Sequence, residues 1–189
     1  MQVFDKVHAF IWNSITTNNC NTYLIDGPTR ILIDPGHLHL FDHVRNELGK
    51  LDLGIDDLGL IICTHTHPDH IEAAQLFKQM SVPVAFHEQE WNLIKEMEKQ
   101  ITAMGVSLDA IMPDFFLKEG DLSVNGLDLK IYHTPGHSPG SICILWPETG
   151  VLLTGDLIFK EGLGRTDLPG GDGNQIKKSI MRMADLDIE

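Results

Sequence analysis

The segment Leu60-Ile61-Ile62-Cys63-Thr64-His65-Thr66-His67-Pro68-Asp69-His70-Ile71 joins a short apolar run to a helical pattern through a loop holding three histidines and an aspartate. The run over Leu58–Cys63 predicts a strand, and the apolar spacing after it predicts a helix over Ile71–Met80. In an extended segment residues two apart point the same way, so His65 and His67 can offer two imidazoles to one ion. Pro68 stiffens the turn. Asp69 and His70, at or just before the first helical turn, can swing back to supply an oxygen and a nitrogen to a second ion. At this chain's own histidine and aspartate frequencies, a chance match to the four fixed positions occurs roughly two or three times in a thousand such sequences.

Two further elements support the loop. His133-Thr134-Pro135-Gly136-His137-Ser138-Pro139-Gly140-Ser141 lies between two predicted strands, where Pro and Gly fix a tight turn and hold His137 rigidly. Leu152-Leu153-Thr154-Gly155-Asp156 ends another apolar run in a carboxylate, a group that can bridge two cations with its two oxygens. Asp156 is the bridging candidate.

Around these elements, β-branched runs bounded by Gly, Pro or Asp predict strands over Asn21–Ile25, Arg30–Ile33, Val82–Phe86, Leu127–Tyr132, Ser141–Trp146 and Val151–Leu153. Asn125-Gly126 is a strong hairpin signal, and Asp26-Gly27 a second one. Helical periodicity covers Leu40–Leu51, Trp91–Met104 (closed by Gly105) and Gln175–Met183. Strands and helices interleave, while several strand pairs are linked by hairpins. The expected architecture is therefore a sheet core covered by helices, α+β to α/β in class, with mixed rather than purely parallel pairing.

The chain has 189 residues, which suits one domain, and its 42% hydrophobic and 22% charged residues are those of a globular protein. Its 27 acidic against 14 basic residues give a net charge of −13, a field that repels phosphate backbones and anionic lipid headgroups. Neither nucleic acid nor a membrane is an expected partner. No stretch approaches the ~18–20 apolar residues of a membrane helix, and the polar start lacks the order of a signal peptide, so a cytoplasmic location is expected. Cys20, Cys63 and Cys143 suit reduced core thiols. Of the 10 histidines, His8, His37, His39, His43 and His87 lack a partner at ligand spacing and are expected at the surface or in caps.

The three ligand-bearing elements together resemble the metallo-β-lactamase superfamily, matching its His-x-His-x-Asp-His loop, its following histidine and its bridging aspartate in order and approximate spacing. The resemblance covers nearly the whole chain, and it implies that residues 1–189 belong to a single domain. It implies a four-layered αββα sandwich of two mixed sheets with the site at their edge. It assigns His65, His67 and His137 to a first metal and Asp69 and His70 to a second, with Asp156 shared. Within the superfamily, His133–His137 and Gly164-Arg165-Thr166-Asp167-Leu168 look like the short glyoxalase II-like hydrolases and the related persulfide dioxygenases. The family has one more metal-binding histidine after a late helix and strand, whereas this chain has no histidine beyond His137. The resemblance thus leads one to expect a C-terminal strand and last ligand loop beyond Glu189, or else a protein with one functional metal.

The implied reaction is hydrolysis of a small thioester at a dinuclear zinc site, with Asp69 orienting the attacking water by accepting its proton. Fe²⁺ or Mn²⁺ are the alternative metals. Arg165 can grip a substrate carboxylate through its planar fork, with Asp167 as its competing partner, and Lys160 can do so as a point charge. Asp34, in Ile33-Asp34-Pro35-Gly36, resembles a loop position of the family near the site, yet turn chemistry alone explains it and a structural role is expected. The competing readings are a lactonase and a persulfide dioxygenase, which would hold one Fe(II) by His65, His137 and Asp156. The net charge disfavours a nuclease. The oligomeric state is left open.

Overall fold

The computed structural model describes residues 1–103 and 107–187, so Met104 and Gly105, at the end of one expected helix, lie outside the described residues. The first sheet has seven strands in spatial order of sequence: β1 (Gln2–Phe4), β2 (Val7–Phe10), β3 (Thr22–Asp26), β4 (Arg30–Ile33), β5 (Leu60–Ile62), β6 (Val84–His87) and β7 (Phe115–Leu117). Pairing is antiparallel from β1 to β4 and parallel from β4 to β7, so the sheet is mixed. The second sheet holds β8 (Gly120–Val124), β9 (Leu127–His133), β10 (Ile142–Trp146) and β11 (Val151–Leu153), antiparallel throughout. A small hairpin follows, made of β12 (Ile158–Phe159) and β13 (Gly162–Leu163).

Alternation along the strands sets the layers. Ile31, Ile33, Leu60 and Ile62 point into the space between the sheets, where they meet Leu127, Leu129, Ile131, Ile144 and Trp146 of the second sheet. Leu32 and Ile61 point the other way, against Phe41, Val44, Leu48, Phe77 and Ile94 on the helical side. Both faces of β4 and β5 are buried, which is why these strands read as continuous apolar runs. The covering helices are α1 (Asp42–Gly49), α2 (Pro68–Ile71), α3 (Gln75–Lys78), α4 (Glu88–Glu96), α5 (Glu98–Ala103) and α6 (Leu108–Ile111). On the far side, α7 (Gly173–Ala184) packs Ile176 and Met183 against Tyr132, Cys143 and Leu157. Helix, sheet, sheet and helix form the four layers.

The helix expected over Ile71–Met80 is broken into α2, a 3-10 turn at Glu72–Ala74, and α3. Here Ala73 N–H donates to the carbonyl of Gly36 at 2.9 Å, diverting it from the helical ladder to the loop after β4. Strands β1, β2 and β7 went unmarked in the sequence; the side chains of β1 are exposed throughout, so it has no apolar pattern to read. At the Asn125-Gly126 hairpin, both residues take positive φ, 48° and 85°, as a type I′ turn requires. All three cysteines are buried and free. Among the described residues, no helix is long and apolar enough to cross a membrane.

Candidate metal centre

Four segments converge at one edge of the sandwich. Parallel pairing of β4 with β5 brings Asp34 beside the 64–70 loop, and Asp34 N–H donates to Ile62 O at 2.9 Å. Ile142 N–H donates to Thr64 O at 3.0 Å, tying the start of β10 to that same loop. Asp156 arrives from the end of β11.

The imidazoles of His65, His67 and His137 meet there. His137 Nε2 lies 3.2 Å from His65 Nε2 and 2.8 Å from His67 Nδ1. Nitrogens around a tetrahedral zinc at about 2.0–2.1 Å stand roughly 3.3–3.4 Å apart, so small adjustments of these rings would admit such an ion. Burial, reinforced by the neighbouring histidines, holds the His65 pKa well below the ordinary imidazole value, and burial together with His137 lowers that of His67. Both therefore favour the neutral form that a metal requires. His137 Nδ1 lies 2.8 Å from the backbone oxygen of Arg165, which fixes the ring and leaves Nε2 facing its partners.

A second group of donor atoms comprises His65, His70 and Asp156. His70 is 3% exposed; its Nε2 lies 3.3 Å from Asp156 Oδ1 and its Nδ1 3.0 Å from Asp34 Oδ2. Burial disfavours a charged His70, but the two carboxylates outweigh it and raise its pKa well above the usual range. Burial likewise opposes the charge on Asp156, yet the His70 hydrogen bond and the surrounding imidazoles lower its pKa. The other oxygen of Asp156 sits 3.5 Å from His137 Nε2, so this carboxylate touches both groups.

Asp69 lies outside both groups; its Oδ2 accepts from Asn18 Nδ2 at 2.8 Å. Asp69, His70 and Asp156 line a cleft of about 650 Å³ together with Trp12, Tyr23, Phe159 and Lys160. Arg165 does not line this cleft. Its exposed guanidinium forms a bidentate pair with Asp167, with both contacts at 2.7 Å.

Three features of the site go beyond what was read from the sequence. Asp34, expected as turn chemistry alone, is 2% exposed, takes φ 54°, and accepts from Thr64 N and Oγ1 at 2.7 Å each while facing His70. Its Oδ2, 3.0 Å from His70 Nδ1, occupies the place of a carboxylate behind a metal-bound histidine. Replacing Asp34 by Asn is expected to weaken zinc binding about 10–100-fold, read by competition with a chromogenic chelator. Glu90, fully buried on α4, accepts hydrogen bonds from both histidine-bearing loops. His37 and His39, expected without ligand-spaced partners, instead gather with Glu72, and the 2.8 Å contact between His37 Nδ1 and Glu72 Oε2 accounts for the closeness of that pair. The signal available for Asp34 was its place at the end of an apolar strand; Glu90 and Glu72 had none, since each acts across the fold.

Fold and site together define a metal-binding enzyme scaffold of the αββα type. A family profile described as the metallo-beta-lactamase superfamily matches residues 15–187, and the chain belongs to that superfamily. It is 37% identical to a probable metallo-hydrolase of Methanocaldococcus jannaschii, over 85% of this chain and 77% of that protein. It is 35% identical to the hydroxyacylglutathione hydrolase GloC of Haemophilus influenzae, over 86% of this chain and 76% of that one. Among solved structures, one crystallised in a di-iron-bound form superposes with a TM-score of 0.71 at 31% identity, covering 88% of this chain and 81% of the other.

Proposed function

We propose that this protein is a glyoxalase II-like hydrolase that cleaves small thioesters with two divalent ions, zinc being the first candidate. The observation that carries this reading is the position of Asp156, whose two oxygens face His70 and His137 and so connect two groups of donors. The likeness to a hydroxyacylglutathione hydrolase supports the substrate class. His65, His67 and His137 would hold one ion; His70 would hold the other, with Asp156 shared. Ions bound there supply Lewis acidity to a carbonyl and make water acidic enough to react near neutral pH.

The chain's own groups do the rest. Asp69, steadied by Asn18, presents a carboxylate to the cleft and accepts a proton from the attacking water. The water oxygen bonds to the thioester carbon, the carbon–sulfur bond breaks, and the thiolate leaves and takes up the proton held by Asp69. Trp12 and Phe159 offer apolar surface to the acyl or thiol portion, and Lys160 offers a charge to a substrate carboxylate. With its guanidinium engaged by Asp167, Arg165 contributes through the backbone oxygen that fixes His137.

The test combines elemental analysis of protein purified without added metal with a panel of small thioesters and lactones. Near two metals per chain with thioester turnover is the expected result. One iron per chain, with oxygen uptake on a persulfide and no thioester cleavage, overturns it in favour of a dioxygenase using His65, His137 and Asp156. Turnover confined to lactones replaces the substrate class.

A further inference from the structure

We propose that Glu90 is a positioning residue that sets the spacing between the two histidine-bearing loops and thereby the affinity of the histidine cluster for its ion. This inference rests on the metal-dependent reading above.

Glu90 is 0% exposed and lies in the first turn of α4. Its Oε2 accepts from Thr66 N at 2.8 Å and Thr66 Oγ1 at 2.7 Å; Thr66 is the residue between His65 and His67. Its Oε1 accepts from Ser138 Oγ at 2.5 Å and Gly140 N at 2.7 Å; Ser138 directly follows His137. One carboxylate thus spans two loops, one leaving β5 of the first sheet and the other joining β9 to β10 of the second. A Cβ at residue 140 would stand 2.7 Å from Glu90 Cγ, so the loop backbone is seated directly against this side chain. Each oxygen receives two donors, and that full satisfaction offsets the desolvation of a buried carboxylate. The positive end of α4 adds to it.

The contacts between His137 Nε2 and the nitrogens of His65 and His67 run across the same two loops that Glu90 joins. Metal–ligand distances tolerate about ±0.2 Å, so the separation of these loops translates directly into affinity. An amide has the shape of the carboxylate but one acceptor oxygen. In Glu90→Gln, the amide nitrogen must face either Thr66 N–H or Gly140 N–H, donor against donor, and one loop is released without any change in volume.

The experiment compares wild type, Glu90→Gln and the milder Ser138→Ala as full chains. Zinc affinity is measured by chelator competition, the visible spectrum after cobalt loading reports coordination geometry, and metal-free melting reports folding. Zinc affinity is expected to fall about 10–100-fold in Glu90→Gln and several-fold in Ser138→Ala, with altered cobalt bands in both and the Ser138→Ala melt close to wild type. Wild-type affinity and spectrum in a folded Glu90→Gln chain, or in Ser138→Ala if the first variant fails to fold, would overturn the assignment of Glu90 alone. A wild-type chain that takes up neither zinc nor cobalt would overturn the metal reading, and this inference with it.

Discussion

Asp156→Ala is expected to lose at least about three orders of magnitude in turnover, some 4 kcal/mol of barrier stabilisation, together with bound metal. The loss is large because one residue serves two groups. Its Oδ1 faces His70 Nε2 at 3.3 Å and its Oδ2 faces His137 Nε2 at 3.5 Å, so truncation removes a shared oxygen donor from both at once. It also deletes negative charge from a cluster whose remaining members are largely imidazoles, raising the electrostatic cost of placing two cations close together. Asp156→Asn keeps the shape and one good acceptor oxygen, so it should retain more metal than the alanine variant. His39→Ala, outside the cleft, should leave turnover unchanged. Metal content and steady-state kinetics on the same preparations decide the matter: an Asp156→Ala protein with wild-type turnover would remove the basis for a shared carboxylate.

Gly136→Ala is expected to cost substantial stability for so small a change. Gly136 has φ +137°, a conformation side chains rarely adopt, and an added Cβ would stand 2.2 Å from the backbone nitrogen of Ile176 and 2.4 Å from its Cα. These are atoms of α7, so no rotamer change relieves the contact. The loop and the helix must separate. That separation also loosens Asp172 N–H to Gly136 O at 2.8 Å and Ser179 Oγ to Pro135 O at 2.8 Å, bonds that help moor the His137 loop to α7. A destabilisation of about 3 kcal/mol or more is expected from combined strain and lost packing, which in a chain of this size lowers Tm by roughly 6–12 °C. Calorimetry of the metal-free protein measures it, and zinc affinity should fall in the same variant. An unchanged Tm would mean that α7 yields at little cost.

Much of this was legible in the chain itself because it depends on local pattern. The period-2 and unbroken apolar runs marked β3 to β6 and β9 to β11, and Arg30–Ile33 and Val151–Leu153 fall where they were expected. Asn125-Gly126 specified its hairpin by the φ its residues tolerate. The ligand candidates His65, His67, His70 and Asp156 were conspicuous because strand ends and tight loops are where short-range spacing controls side-chain direction. The two donor groups that form from them, and the place of Asp69 beside Asn18, are tertiary facts.

Longer-range relations were decided only by folding. The break between α2 and α3 arises from Ala73 reaching Gly36 across the layer, a hydrogen bond that no helical periodicity encodes. Arg165 and Asp167 stand close in sequence, yet only the folded loop turns the guanidinium out of the cleft and its backbone oxygen toward His137. Asp34 and Glu90 acquire their roles by burial against donors 30 and 24 to 50 residues away. By itself the sequence determined which residue types were available at the strand ends, through local periodicity and turn chemistry. Tertiary structure alone decided which of them share an ion-sized space and which buried carboxylates hold them there, because loop spacing is fixed by hydrogen bonds and packing between segments distant along the chain.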